Sequence, residues 1–413
     1  MKSNKSIYRY FILFGLIISF SCREEIALET NVFESTIVVE ATITNELKIQ
    51  EINISKTYFL ESAEQVLENN ATVYIEDNLQ NVFTFTQNTE GVYISNTEFK
   101  AEPDRDYILH ITTANGKNYQ SITTTLTPEA QITNMYPEVV DNETVTVFID
   151  VDGTENNTKY YRYHWEETYK IIAPNHSEFD ATIEGLTIDT SNNNNGEVIA
   201  SSISYGIAIT PREQEERKCY SSNKSTGITQ ASSSELDSNL ISRLPIRVIP
   251  VNSAELINRY SIIVTQVTQN LESYSYYKTI KELGDTSSIL SSSQPGYIQG
   301  NINSTTDSSE KVLGFFNVAS IAKKRIYFNY FDLGLEYPDY FYDCEEITYN
   351  YLDDSVNPAI PGDVNERYEL YQLLEFGNYK FVAKNGTFYT ITKPECGDCT
   401  SFSSNVQPDF WID

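Results

Sequence analysis

The chain is poor in the residues from which most active sites are assembled. Only three histidines, two methionines and two tryptophans occur in 413 residues, and His110, His164 and His176 stand far apart, without metal-ligand spacing. No Gly-x-Ser-x-Gly elbow, His-Glu-x-x-His helix, phosphate loop or Gly-x-Gly-x-x-Gly turn is present. A non-enzymatic protein without cofactor or metal is therefore expected. Basic residues are also scarce: 29 Lys and Arg stand against 58 Asp and Glu, for a net charge of −29. A field of that sign repels nucleic acid and anionic headgroups, which excludes both as partners. Thirteen prolines and seventeen glycines contrast with thirty tyrosines and twenty phenylalanines. With abundant Thr, Ile and Val, this is the composition of a β protein.

Long apolar runs are limited to one, between Phe11 and Phe20. Lys2, Lys5 and Arg9 precede it and small Ser21 follows, directly before Cys22. A run of about ten residues is too short to span a bilayer as a stable helix, and the layout is that of a cleaved leader. Residues 1–21 are expected to be a lipoprotein signal peptide, although Ser19 stands where Leu is usual. Cys22 is the expected lipidation site, and residues 22–34 form an acylated tether that anchors the chain without crossing the membrane. Arg23-Glu24-Glu25 resembles the basic-then-acidic signal that carries lipoproteins of Bacteroidota to the outer face of the outer membrane; a solvated tether is the plainer reading of three residues.

Apart from Cys22 the cysteines are Cys219, Cys344, Cys396 and Cys399. An even number in an exported chain predicts two disulfides, and the spacing leaves all three pairings open. Cys396-Gly-Asp-Cys399 lacks the βαβ context of a redox motif and the two further ligands of a zinc site.

From residue 35 the pattern has period two. Thr36–Ile43, Gln50–Ser55, Ala71–Glu76, Val82–Thr86, Gly91–Ile94, Asp106–Thr112 and Tyr119–Thr125 read as short strands separated by Asn, Asp, Gly and Pro turns, which predicts an immunoglobulin-like β-sandwich over 35–128. A larger antiparallel β domain is expected over 129–413. Its strand Lys159–Thr168 alternates Tyr161, Tyr163 and Trp165 on one face, a pattern that reads as core. Residues 174–203, with Ser191-Asn-Asn-Asn-Asn-Gly196, read as an unpacked loop. One short amphipathic helix is predicted near 271–283, where Leu271, Tyr274, Tyr277 and Ile280 recur at helical spacing and Gly284 supplies a stop. Tyr368–Tyr389 reads as further strands. Asp150-Val-Asp152-Gly153 begins like a calcium loop, but no further acidic ligands follow at the required intervals, and a polar turn is expected. Tyr337, Tyr340, Phe341 and Tyr342 crowd around Pro338; packing inside the domain is the first expectation for them, and a partner or ligand surface the second.

The ordered set of motifs resembles the Bacteroidota outer-membrane lipoproteins grouped as domain of unknown function 4249. The residues that carry the resemblance are Val38-Val-Glu40, Ala71-x-Val73-x-Ile75, Gly91-x-Tyr93, Tyr107-x-Leu109-x-Ile111 and Gly116-x-x-Tyr119-x-Ser121. They continue through Cys219-Tyr220, where the family usually shows Cys-Trp, then Tyr276-Tyr277, Pro295, Gly300-Asn301-Ile302 and Val312–Phe316. Cys396-x-x-Cys399 and Pro408-x-Phe410-Trp411 complete the pattern. Members are commonly encoded beside TonB-dependent receptors. The resemblance thus implies a lipid-anchored outer-membrane protein, facing the cell exterior, that is accessory to such a receptor barrel in binding or uptake of a nutrient of unknown identity. The alternative is a structural or adhesive surface protein with no transporter partner.

Overall fold

A computed structural model describes residues 35–57, 66–192, 198–284, 297–354 and 365–413. Cys22, Arg23, Glu24 and Glu25, with the leader and tether, lie outside the described residues, as does Pro295. The described chain is mainly β. It begins with β1 (Ile37–Thr44), β2 (Glu51–Lys56), β3 (Val66–Leu67), β4 (Thr72–Asp77), β5 (Val82–Gln87), β6 (Tyr93–Ser95), β7 (Asp106–Thr112), β8 (Asn118–Ser121) and β9 (Thr124–Thr125). There follow β10 (Gln131–Val140), β11 (Thr144–Asp152), β12 (Tyr160–Ile172), β13 (Phe179–Asn192), β14 (Val198–Pro211), β15 (Lys218–Lys224), β16 (Thr229–Ser232), β17 (Leu240–Pro250) and β18 (Tyr260–Gln269). Helix α1 (Leu271–Gly284) precedes β19 (Ile302–Ser304), β20 (Val312–Ala319), β21 (Ile321–Phe328) and β22 (Glu346–Asn350). The chain ends through α2 (Glu366–Glu375), β23 (Lys380–Asn385), β24 (Phe388–Thr392) and α3 (Pro394–Gly397).

The period-two residues of the first region form one sheet, ordered β19-β8-β7-β4-β5-β6-β2-β1-β20. Alternate side chains of its strands, among them Ile43, Ile52, Ile75, Tyr93, Tyr107 and Leu109, are fully buried in one core. The sheet is not confined to residues 35–128. It recruits β19 and β20 from nearly two hundred residues later, and β20 runs parallel to β1 along its whole length, from Ile37 opposite Val312 to Thr44 opposite Ala319. The two ends of the strand path then meet. The Asn301 amide donates to the Phe316 carbonyl at 2.8 Å and accepts from the Phe316 N–H at 2.7 Å, replacing a ladder step with a side chain.

Two glycines make that closure possible. A Cβ on Gly314, whose φ is +122°, would lie 1.9 Å from the Val39 carbonyl oxygen, and one on Gly300 would lie 1.7 Å from the Gly314 oxygen. Gly314→Ala is therefore expected to cost about 2–3 kcal/mol of unfolding free energy, read from urea denaturation, because it adds a steric clash to an unfavourable backbone region. An unchanged midpoint would show that β20 does not seat against β1 as described.

The second region has two sheets face to face, β10-β11-β17 and β15-β12-β18-β21. Tyr161, Tyr163, Ile171, Ile262 and Val264 from one meet Val145, Val147, Ile149 and Ile249 from the other. A smaller sheet, β22-β24-β23, packs with α2 against the base of the β13–β14 hairpin through Leu370, Phe381, Tyr389 and Ile391.

Two expectations are corrected here. The predicted loop over 174–203 is for the most part a hairpin, with Phe179 paired to Pro211 and Asn192 to Val198; residues 193–197 lie outside the described residues. The Asn run at its tip reads as loop, although Phe179, Ala181 and Ile183 and then Ile203, Tyr205, Ile207 and Ile209 alternate as strands do, with Tyr205 buried and Ala181, Ile207 and Ile209 packed on the smaller sheet. The single helix is also not the only one. Tyr368–Tyr389 holds β23 and the start of β24 as expected, but it begins inside α2, capped by Asn365, whose side chain accepts from the Tyr368 N–H at 2.8 Å, with Leu370 and Tyr371 buried. The N-cap with Glu366 and Glu369 in the first turn decides for helix.

Candidate functional site

The strands that bury one face leave the other available, and the outer faces of two sheets meet at an angle. On β1 and β2 the core takes Val39, Ala41, Ile52 and Ile54, so Glu40, Thr42, Glu51 and Asn53 point away from it, with Glu40 paired opposite Asn53. On β12 the core takes Tyr161 and Tyr163, so Arg162 and His164 occupy the opposite face. The ladder sets Arg162 against Val267 and His164 against Thr265, and Thr265 against Lys323 of β21.

These two faces and α1 enclose a recess of about 530 Å³, within the range of roughly 300–1,000 Å³ found for small-ligand sites. An apolar slot of about 210 Å³ adjoins it under α1, lined by Val38, Tyr276, Ile280, Leu313 and Phe315; Glu40 and Tyr277 border both cavities.

The angle between the sheets is fixed by a buried joint of hydroxyls. Only Ser320 separates β20 in one sheet from β21 in the other. Its N–H donates to Thr127 Oγ1 at 3.1 Å, and its hydroxyl donates to the Thr127 carbonyl at 2.6 Å. Thr268, at the end of β18, shares a 2.7 Å hydroxyl contact with Thr127, and its N–H donates to the Ser320 carbonyl at 3.0 Å. The connections between the two regions at Thr127 and Ser320 are thus tied to β18. Buried, mutually satisfied polar groups of this kind hold a single geometry, so the recess is pre-formed.

Charge in the recess is unevenly paired. Lys323 and Lys48 both lie against Glu46, at 2.8 and 3.7 Å. Arg162 stacks over the Tyr277 ring with 4.0 Å to the centroid. Its Nε is buried without a hydrogen-bond partner, and among the described residues its guanidinium has no carboxylate within 4.0 Å. The carboxylates of Glu40 and Glu51, on the facing wall, likewise make no ion pair among the described residues. His164 is solvent-accessible, yet desolvation within the recess and the neighbouring Arg162 push its imidazole down to about 4, which leaves it neutral at physiological pH.

The residues singled out by sequence fall elsewhere. The cysteines pair as Cys219–Cys399 and Cys344–Cys396. The two members of Cys396-Gly-Asp-Cys399 therefore go to different partners, which removes a dithiol reading of that motif. Around Pro338, Phe341 packs on Tyr169 at 5.6 Å and Tyr340 donates to the Glu395 carbonyl at 3.2 Å, so both belong to the core margin. Tyr337 and Tyr342 are exposed, although Tyr342 still leans on Phe402 at 5.0 Å. None of the four reaches the recess. Asp152 is engaged by Thr154, and Asp150 accepts from the Arg243 N–H at 2.8 Å. His110 stacks on Tyr74 with ring centroids 4.6 Å apart. The recess residues Arg162 and His164 were legible only as the polar alternates of the Tyr161-Tyr163-Trp165 stripe.

The architecture is that of a mainly β protein with a preformed cleft between two sheets. A family model described as domain of unknown function (DUF4249) matches residues 23–325, and the chain belongs to that family. The smaller sheet with α2 lies beyond the matched residues. No curated protein matches. Among solved structures, a DUF4785 family protein from Legionella pneumophila is similar at 10% identity over 56% of this chain and 52% of that one, with a TM-score of 0.17. A structure described as manganese lipoxygenase of Gaeumannomyces graminis with partial zonadhesin of Komagataella pastoris is similar at 11% identity, over 58% and 89%, also with a TM-score of 0.17. The chain spans about half the length of the Legionella protein.

Proposed function

We propose that this protein is a lipid-anchored outer-membrane protein of the Bacteroidota type, exposed on the cell surface, that binds a nutrient and acts as accessory to a TonB-dependent receptor. The supporting observation is the recess between the two sheets, which holds Arg162, Glu40 and Glu51, none of them ion-paired among the described residues, beside an apolar slot. Charges left without partners in a concave, preformed site favour a ligand that supplies the missing ones. The immunoglobulin-like reading of the first sheet belongs to the same proposal, extended by the strands from the second half of the chain. Anchoring through Cys22 places the recess at the membrane surface, within reach of a barrel.

The test is affinity purification of the tagged protein from gently solubilised outer membranes, with Cys22→Ala as the matched control. A receptor barrel is expected in stoichiometric amount with the wild type, and the Cys22→Ala chain is expected in the membrane-free fraction. Recovery of the wild-type chain alone from intact extracts would sink the accessory role and leave a free-standing surface binder or adhesin.

A further inference from the structure

The geometry points to a ligand class for the recess: we propose that it takes a small zwitterion with an apolar side chain, a short peptide with free ends or the corresponding amino acid. The inference rests on the ligand-binding half of the function proposed above.

Three independent features of the site each select one part of such a molecule. The first is Arg162. A guanidinium is a planar fork matched to a carboxylate, and this one lies over the Tyr277 ring, 4.0 Å from its centroid, with no carboxylate of the described chain within ion-pair distance. The second is the pair Glu40 and Glu51 on the facing wall. Glu40 stands opposite Asn53 on β2, so Glu51 is its diagonal neighbour, about 7–8 Å away along the sheet. Two like charges at that spacing raise the local affinity for an ammonium group and repel a second anion. The third is the slot under α1, whose Val38, Ile280, Leu313 and Phe315 offer nothing to a polar group. It opens beside Glu40 and Tyr277, where an ammonium-bearing carbon would carry its side chain.

Other ligand classes satisfy fewer of these features. A neutral sugar leaves Arg162 and both carboxylates unpaired and puts nothing in the slot. A phosphate or other polyanion meets Arg162 and the Glu46-paired Lys48 and Lys323 but is repelled by Glu40 and Glu51 and leaves the apolar slot empty. A divalent cation meets the carboxylates and is repelled by Arg162. The neutral state of His164 adds no further positive charge to Arg162 and to Lys48 and Lys323, which Glu46 already pairs.

Isothermal titration of the full chain, purified in detergent, with leucine, dileucine and trileucine tests the class and reports which length fits. N-acetyl-dileucine and dileucine amide, each with one end neutralised, test the two charges. Each blocked peptide is expected to bind about ten- to a hundredfold more weakly than dileucine, the usual effect of deleting one charge-assisted hydrogen-bonded pair. Arg162→Gln should weaken dileucine by a similar factor while leaving the residual affinity for the amide unchanged, and Glu40→Gln should behave the same way towards the N-acetyl form. These paired effects would not arise from a general loosening of the fold. The blocked ligands also give their answer on wild-type protein, should a variant fail to fold. Equal binding of dileucine and a doubly blocked form, or no heat from any zwitterion up to about 1 mM, overturns the proposal. If a barrel co-purifies and no zwitterion binds, only this inference falls; if dileucine binds and no barrel is recovered, only the accessory role falls.

Discussion

Replacing Cys219 and Cys399 together by alanine is expected to lower the unfolding free energy by about 3–5 kcal/mol, and replacing Cys344 and Cys396 by about 2–4 kcal/mol. The difference follows from loop length. The first bridge joins residues 180 apart and the second residues 52 apart. A cross-link removes more freedom from the unfolded chain the longer the loop it closes, and 1.5RT times the logarithm of that length ratio is about 1 kcal/mol. Both bridges act on the same part of the molecule. Cys219 belongs to β15, while Cys399 and Cys396 lie in the segment after β24, so the first bridge fastens the C-terminal unit to the β12 sheet, and the second fastens the loop before β22 to α3. The tail continues across that sheet, with Tyr220 accepting Trp411 edge-on at 5.0 Å and Phe410 lying 3.7 Å from the Arg325 guanidinium. Denaturant titration of both double variants measures the effect, and mass mapping of unreduced peptides verifies the pairing. The recess is built entirely from residues 38–323, so ligand affinity should survive loss of either bridge. A midpoint unchanged in both variants would show that the C-terminal unit is held by packing alone.

What could be read from the chain was what is local. The early strands declared themselves because one face of each is buried, which forces alternation: Val39, Ala41 and Ile43 in, Glu40 and Thr42 out. Helix α1 was visible through its apolar spacing and Gly284. The parallel pairing of β1 with β20 was not, because a strand carries no mark of a partner 275 residues away, as Val312 is from Ile37. The family motifs Gly300-Asn301-Ile302 and Val312–Phe316 acquire a physical meaning only in the fold, as the close backbone approach and amide bridge that join the sheet's two ends. The recess was illegible for the same reason. Each wall is an ordinary polar strand face, and only the joint at Thr127, Thr268 and Ser320 turns the two towards one another. The cysteine count announced two bridges, whereas their connectivity depends on where β15 and the C-terminal segment meet.

The aromatic stripe of β12 continues into a residue that the pattern did not flag, and the consequence is large: Arg247→Ala is expected to cost about 3 kcal/mol or more. After Tyr161, Tyr163 and Trp165 the next inward position is Glu167, which is fully buried between the two sheets of the second region. Its charge is held by a complete set of donors. Arg247 of β17, on the opposing sheet, donates from Nε at 2.7 Å and from Nη2 at 2.9 Å, Asn223 donates at 3.0 Å, and the Tyr260 hydroxyl donates as well. Arg247 also lies 4.9 Å from the Trp165 ring centre and 3.6 Å from Glu255. Removing the guanidinium leaves a buried carboxylate with neutral donors only, which is the costly way to break such a pair. Substituting both partners, as Glu167→Met with Arg247→Met, is expected to cost clearly less than the sum of the two single changes, because no lone charge remains. Strict additivity in that cycle would mean that the pair is not coupled. The same site sets a pH dependence. Burial, and then the Glu167 charge, raise the Glu255 carboxyl above its ordinary value despite the opposing pull of Arg247. A raised acid contributes stability that is fully present below its unfolded pKa and is lost as pH rises through the folded one. Glu255→Gln should therefore abolish a stability loss that the wild type shows between the ordinary carboxylate range and the raised value. If the variant and the wild type kept the same slope there, Glu255 would not be the group responsible.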